Sequence, residues 1–272
     1  MYCGFERSSK KVLIFLLSAF VIVSLFFSAT AEANIYDDFS GPGIDAGKWT
    51  ISDPLTLFSQ PGDGQLHFRG DNTAQVSPVP GGSVVSTISF LPGFFSMDFN
   101  HFSSSNTSPG GQGLGSFAAL GLGTKSTKYA RMLRGRVLSP AGGYFEANYF
   151  DGSLLHVWYV FADATSGRLG LQYDGSTVSF YYDDGVNGWQ KLDTSGPDTQ
   201  GNTVTVAPGW SSPPPLFVSG TPGGSGVTVF QVDKVEYTPA STVSTMTEGG
   251  MLVMAALLGA STLCLIRKKR RV

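Results

Sequence analysis

The chain has 272 residues, of which 42% are hydrophobic and only 14% charged, with 35 glycines and 15 prolines. Its formal net charge of −2 hides an uneven distribution. Between Asn34 and Ser241 lie 17 acidic and 10 basic residues, near −7, which excludes nucleic acid as a partner of that stretch because such binding needs a basic footprint. The two cysteines, Cys3 and Cys264, fall in the two apolar end segments, so the body between them has no disulfide and no thiolate chemistry open to it.

Taken in chain order, the first element is a targeting segment. Arg7, Lys10 and Lys11 precede an apolar run from Val12 to Phe27, and Ala31-Glu32-Ala33 is a small-x-small site. This layout predicts a secretory signal peptide over residues 1–33, with Ala31 and Ala33 as the small residues before a cut that follows Ala33. The run is shorter than the about 20 residues of a usual span, which argues against an uncleaved membrane helix.

From 34 to 238 the chain shows no amphipathic helix. Short segments rich in Val, Phe, Tyr and Thr alternate with Gly, Pro, Asp and Ser clusters, which is the pattern of an all-β sandwich or barrel. The spacing predicts strands at Val84–Phe90, Phe94–Phe99, Ala130–Val137, Tyr144–Phe150, Leu154–Phe161, Arg168–Tyr173, Thr177–Tyr182, Trp189–Leu192, Thr203–Val206, Leu216–Val218 and Val227–Tyr237. Ser103–Ser116, rich in Ser and Gly, is expected to be a long loop. Asp174-Gly175 between two alternating segments predicts a two-residue type I′ hairpin. In its second arm Val178, Phe180 and Tyr182 share one face and Thr177, Ser179 and Tyr181 the other.

Several pieces of the body resemble concanavalin A-like lectin/glucanase domains. Tyr36-Asp37-Asp38-Phe39-Ser40-Gly41, then Lys48-Trp49, then Gly64-Gln65-Leu66-His67-Phe68, are similar to the opening of those domains. Gly167-Arg168-Leu169, Tyr173-Asp174-Gly175-Ser176 and Trp189 are similar to a later hairpin, and Phe230–Tyr237 to the closing strand. The resemblance spans the body in order and implies a jelly roll: two antiparallel sheets, one of them concave, with ligand in the concave groove. It also implies a structural calcium held by an Asp on the closing strand, here Asp233, with the Asp38 and Gly64 regions as neighbours; hard cations take such oxygen ligands. No other cofactor is implied.

The resemblance does not by itself supply a reaction, because one fold hosts many functions. Laminarinase-like members carry an E-x-D-x-x-E strand that this chain lacks. Glycoside hydrolysis uses two carboxylates flanking the bond. The nearest pair, Glu146 and Asp151, is an odd number of residues apart and so points to opposite faces of a regular strand. His67, His101 and His156 lack metal-ligand spacing, and His156 is expected to be packed. The expectation is therefore a non-catalytic module that holds carbohydrate or matrix on aromatic rings. Tyr149 and Tyr181 are placed away from the core by strand alternation, and Trp189 is a further candidate. A glycoside hydrolase with an unrecognised site and a purely structural matrix protein remain the alternatives.

The chain closes with a polar stalk and motif over 239–248, an apolar run over 249–266 and a basic tail over 267–272. The run is marginally long enough to cross a bilayer, and the tail favours the cytoplasmic side. Thr245-Met246-Thr247-Glu248, with Gly250 and Met251, resembles the IPTL-CTERM sorting signals of bacteria. Ser244 and Gly249 depart from that family's Pro and Trp. The resemblance implies a Gram-negative cell, an inner-membrane anchor in transit, an exosortase-like sorting protease as partner, and delivery to the cell surface or extracellular matrix.

Overall fold

The computed structural model describes residues 33–72, 81–105, 115–137, 142–192, 205–223 and 226–240. The chain divides into two units, Met1–Ala240 and Ser241–Val272. The second unit lies wholly outside the described residues, and with it Thr245–Glu248, the apolar run and the basic tail; Ala31 and the segment before it lie outside them too. Among the described residues no helix is long and apolar enough to cross a membrane.

The described residues form sixteen strands and no helix. These are β1 Asn34–Asp37, β2 Trp49–Ser52, β3 Phe58–Ser59, β4 Leu66–Asn72, β5 Gly82–Ser89, β6 Gly93–Ser104, β7 Ser116–Thr124 and β8 Lys128–Val137. They continue with β9 Gly142–Phe150, β10 Leu155–Phe161, β11 Gly167–Tyr173, β12 Val178–Asp183, β13 Gln190–Lys191, β14 Thr205–Val206, β15 Pro215–Thr221 and β16 Gly226–Pro239. Two antiparallel sheets result. The nine-stranded sheet runs β13-β12-β11-β6-β16-β4-β3, with β1 on β16 and β14 on β12; the seven-stranded sheet runs β10-β9-β8-β7-β15-β5-β2. Strands far apart in sequence, such as β5 and β15, lie side by side, as a jelly roll requires.

The core lies between the sheets and is built from alternate residues of each strand. Phe68 and Phe230 stack at 4.6 Å, Phe145 stacks on Tyr182 at 4.6 Å, and Leu120, Met132 and Val218 close the space from the other sheet. Fully burying each such side chain contributes about 1.5–3 kcal/mol.

The opening motif is a latch. The Asp37 carboxylate accepts the Trp49 indole N–H at 2.6 Å, the Phe39 backbone N–H at 3.1 Å and the Lys48 ammonium at 3.3 Å. Phe39 is fully buried and adopts a φ of 51°, which a bulky residue rarely does. The Asp37 bond, and the Gln60 amide donating to the Phe39 and Gly41 carbonyls at 2.8 and 2.9 Å, hold it there. So the D-x-F-x-G and K-W pieces are one hydrogen-bonded unit tying the first strand to the start of β2.

Two expectations need correction here. Asp174-Gly175 does not make a two-residue loop. The last pair is Tyr173 with Val178, and only Gly175 has positive φ. The loop spans four residues because the Asp174 carboxylate captures the Ser176 and Thr177 N–H groups at 2.8 and 2.6 Å, which holds its own carboxyl well below the usual range. The expected loop Ser103–Ser116 is also trimmed at both ends. Ser103 and Ser104 belong to β6 and Ser116 to β7, where Ser116 donates to the Ser104 hydroxyl at 2.7 Å.

Candidate functional site

The side of the seven-stranded sheet turned away from the core carries a second, separate apolar cluster of Ala119, Leu133 and Tyr144, flanked by Phe117 and Tyr159. Pairing registers arrange this outer face in rows across the strands. One row is Phe217, Gly121, Arg131, Asn148 and Val157; the next is Ser219, Ala119, Leu133, Glu146 and Tyr159. Glycine is required in the first row, because a Cβ on Gly121 would run into the Phe217 ring that lies across it; the Tyr144 ring covers Gly135 in the same way. These two rings are themselves buried, and the half-buried Phe117, Tyr129 and Tyr159 are the rings of this face that reach solvent, where a sugar face could stack.

Polar groups converge on that face. Arg131 donates from Nε and Nη2 to the Asn148 side-chain oxygen at 2.9 and 2.7 Å, and the Asn148 amide donates to Glu146 Oε1 at 2.5 Å. The Arg131 guanidinium lies 4.4 Å from the Phe117 ring centre and 5.3 Å from that of Tyr129. Burial pushes the Glu146 carboxyl up from its ordinary value of 4.5, against the lowering pull of the Asn148 amide and Arg131. Burial, then the nearby Glu146, raises the Tyr144 hydroxyl as well. The Ser219 hydroxyl has no hydrogen-bond partner. Glu146 is the single acidic side chain on the strands of this face among the described residues. Asp193 and Asp198 lie outside the described residues. A half-buried carboxyl held toward its neutral form is the state of a general acid.

A pocket of about 350 Å³ opens at one end of the same strands, lined by Gly123, Thr124, Lys128, Trp210 and Ser211 to Pro215 among others. It begins about four residues, roughly 13 Å, along the strands from the Glu146 row, so it is not the cavity in which Glu146 would act.

The residues singled out from the sequence fall elsewhere and apart. Tyr149 does not face away from the core. Phe145, Ala147 and Tyr149 share the inner side of β9, where Tyr149 packs on the core and stacks on His156 at 5.7 Å. Strand alternation then sends Glu146 outward. Tyr181 and Trp189 do face outward, but on the nine-stranded sheet, clustered around Phe94 at 5.6 and 5.2 Å. Trp189 precedes β13, lies over Gly170 and carries the Arg168 guanidinium 4.5 Å above its ring, which is the physical content of the hairpin motif. His156 is packed as expected, between Tyr149 and Trp158, with its Nε2 3.0 Å from Asp151. Backbone donors at Leu154, then the His156 contact, hold Asp151 down at about 2.

Asp233 accepts the side-chain amides of Gln65, at 2.6 Å, and Asn100. One oxygen of the carboxylate meets each donor, so the group ties the closing strand to the segment before β4 and to β6. No group of three or more His, Cys, Asp or Glu that could hold a metal is gathered among the described residues. Both Asp233 oxygens are thus engaged by amide donors, and no chemistry is routed through a cation here.

Sequence reasoning missed Arg131, Asn148 and Tyr144 as a group with Glu146. The available signal was the i, i+2 run Tyr144, Glu146, Asn148 on one face of a strand, which aromatic residues on both faces of β9 obscured.

The two antiparallel sheets and their crossed strand order define a class: an all-β jelly roll. Comparison with solved structures places it more closely. A β-glucanase of Bacillus licheniformis matches with a TM-score of 0.51 and 13% identity over 78% of this chain and 100% of that one. The GH43 protein BlXynB of Bacillus licheniformis matches in a mutant form with a TM-score of 0.55 and 13% identity, over 75% of this chain and 39% of that one. Its unmutated form matches with a TM-score of 0.53 and 15% identity, again over 75% and 39%. No model of a known protein family matches the chain, and no curated protein sequence matches it. At these identities the likeness is one of fold. It nevertheless corrects the expectation of a non-catalytic module, which rested on the missing E-x-D-x-x-E string. The structures matched are a glucanase and a GH43 protein, so the missing string does not exclude an enzyme.

Proposed function

We propose that the domain binds a polysaccharide chain along the outer face of the seven-stranded sheet and acts on it as a glycoside hydrolase, with Glu146 as proton donor. The observation that carries this reading is Glu146 itself: half-buried, held by Asn148 beside Arg131, raised above its ordinary value by burial, and set on an aromatic platform. An acid so placed can protonate a glycosidic oxygen while the half-buried Tyr159 and Phe117 hold the rings on either side. Arg131 and Asn148 would orient the carboxyl. The reading is tested by release of reducing ends from β-glucans by the purified full chain. Release is expected; a chain that binds the glucan yet releases nothing would leave a binding domain in place of the hydrolase.

The polysaccharide would be met outside the cytoplasm. The signal peptide over 1–33, the apolar run over 249–266 and the sorting motif Thr245–Glu248 support an exported chain, anchored in transit and then sorted by an exosortase-like protease. N-terminal sequencing of the mature protein is expected to begin at Asn34, and protease added to spheroplasts to digest the body. A read beginning at Met1, or a protected body, would overturn this localisation.

A further inference from the structure

Among the described residues, two cations on the outer face of the seven-stranded sheet make no ion pair with a carboxylate, although Glu146 favours the Arg131 charge through space. Lys48 pairs with Asp37, Arg134 with Asp163, Arg168 with Asp183, and Lys234 with Asp98 and Glu236; Arg69 and Lys191 belong to the other sheet, and alternation puts Lys128 and Arg136 on the opposite side of β8 from Arg131. Arg131 makes no such ion pair; two of its nitrogens go to one neutral amide oxygen, that of Asn148. Lys125, in the turn between β7 and β8, also makes none, and its ammonium sits 5.7 Å from the centre of the Phe217 ring. Phe217 and Arg131 belong to the same row of the face, on either side of Gly121. The two cations therefore flank one short stretch of the aromatic platform.

They are also close enough to disturb each other. Desolvation first, and repulsion from Arg131 second, draw the Lys125 ammonium down to about 8. Lys125 is exposed in its turn, so what bears on ligand choice is the repulsion between the two like charges, which an anion placed between them would relieve. The one acid on the face, Glu146, is held toward its neutral form and does not supply that anion. The body as a whole is acidic, with 17 acids against 10 bases between Asn34 and Ser241, so this local excess of positive charge runs against the protein's general charge.

We infer that the polysaccharide taken by this face is an acidic one, whose carboxylate or sulfate groups are received between Lys125 and Arg131. This rests on the reading that the face binds polysaccharide. Both anions present the oxygen acceptors that an ammonium and the remaining guanidinium donors can engage.

The test compares one β-glucan with its own carboxymethylated and sulfated derivatives, so that only charge differs. Binding to the purified full chain is measured at low salt and at about 1 M salt, where the Debye length is roughly 3 Å. At least one derivative is expected to bind about tenfold or more tightly than the parent at low salt, and the tighter of the two names the anion. The advantage is expected to shrink at high salt and in Lys125→Gln and Arg131→Gln. Lys125→Gln carries the test if Arg131→Gln does not fold, as judged by its melting curve. General attraction to a polyanion cannot mimic the result, because the body is acidic. Equal binding of parent and derivatives would overturn the inference and leave the polysaccharide-binding reading standing. No binding to any of the three would overturn both.

Discussion

Glu146→Gln is expected to lower the rate of reducing-end release by at least about 100-fold while making the folded protein more stable at neutral pH. The first half follows from the proposed role. Positioned proton donors typically contribute 10²–10⁴-fold, roughly 3–5 kcal/mol of barrier, and a glutamine of the same shape has no proton to give. The second half follows from linkage. Burial raises the folded-state carboxyl above 4.5, so below that value both folded and unfolded chains hold the proton and nothing is lost. As pH rises past 4.5 the unfolded chain releases its proton first and the folded state loses stability, until pH passes the raised folded value. Glutamine removes this loss, so the variant's advantage in melting temperature should be absent at low pH and present at pH 7. Opposite signs in activity and stability are the mark of a strained functional group. A variant that keeps wild-type activity would remove Glu146 from the mechanism, and one less stable at every pH would make it a structural residue.

Asp37→Ala is expected to cost about 3 kcal/mol or more and to lower the melting temperature by roughly 6–12 °C, given the usual ~2–4 °C per kcal/mol for a domain of this size. The carboxylate receives an indole N–H, a backbone N–H and an ammonium, and Asp37 and Trp49 are 6% and 2% exposed. Alanine leaves the Trp49 N–H buried without an acceptor and frees Phe39 from the bond that supports its positive φ. Asp37→Asn keeps one acceptor oxygen but turns an amide N–H toward either Trp49 or Lys48, so its cost should fall between the two. Chemical denaturation of the three proteins measures the series. A change below about 1 kcal/mol for alanine would show that the opening motif is not a latch.

These two residues differ in how far their roles were legible in the sequence. Asp37, Phe39, Gly41, Lys48 and Trp49 lie within a short stretch, and their contacts are nearly all local, so the motif could be read as one unit before its geometry was known. Glu146 belongs to no such local unit, since strand alternation separates it from Asp151, the nearest acid. Its partner Arg131 lies on a neighbouring strand, and only the pairing of Arg131 with Asn148 and of Leu133 with Glu146 brings the two side chains together.

The wider division follows the same line. The sequence by itself determined the all-β class, most strand positions and the inward face of β12, where Val178, Phe180 and Tyr182 meet the core as alternation predicts. Those features depend on local propensity, on period and on turn residues, which act within a few positions. Tertiary structure decided β7. Its Ala and Gly content gives no strand signal, yet Ser116–Thr124 runs between β8 and β15 because Gly121 makes room for the Phe217 ring and Gly123 for Trp210. It also decided which side of β9 is the inside, since that strand carries Tyr144 and Phe150 on one face and Phe145 and Tyr149 on the other. With rings on both faces the period carries no preference, and the choice falls to packing. Phe145 stacks on Tyr182 across the sandwich, which turns Glu146 outward to Asn148 and Arg131.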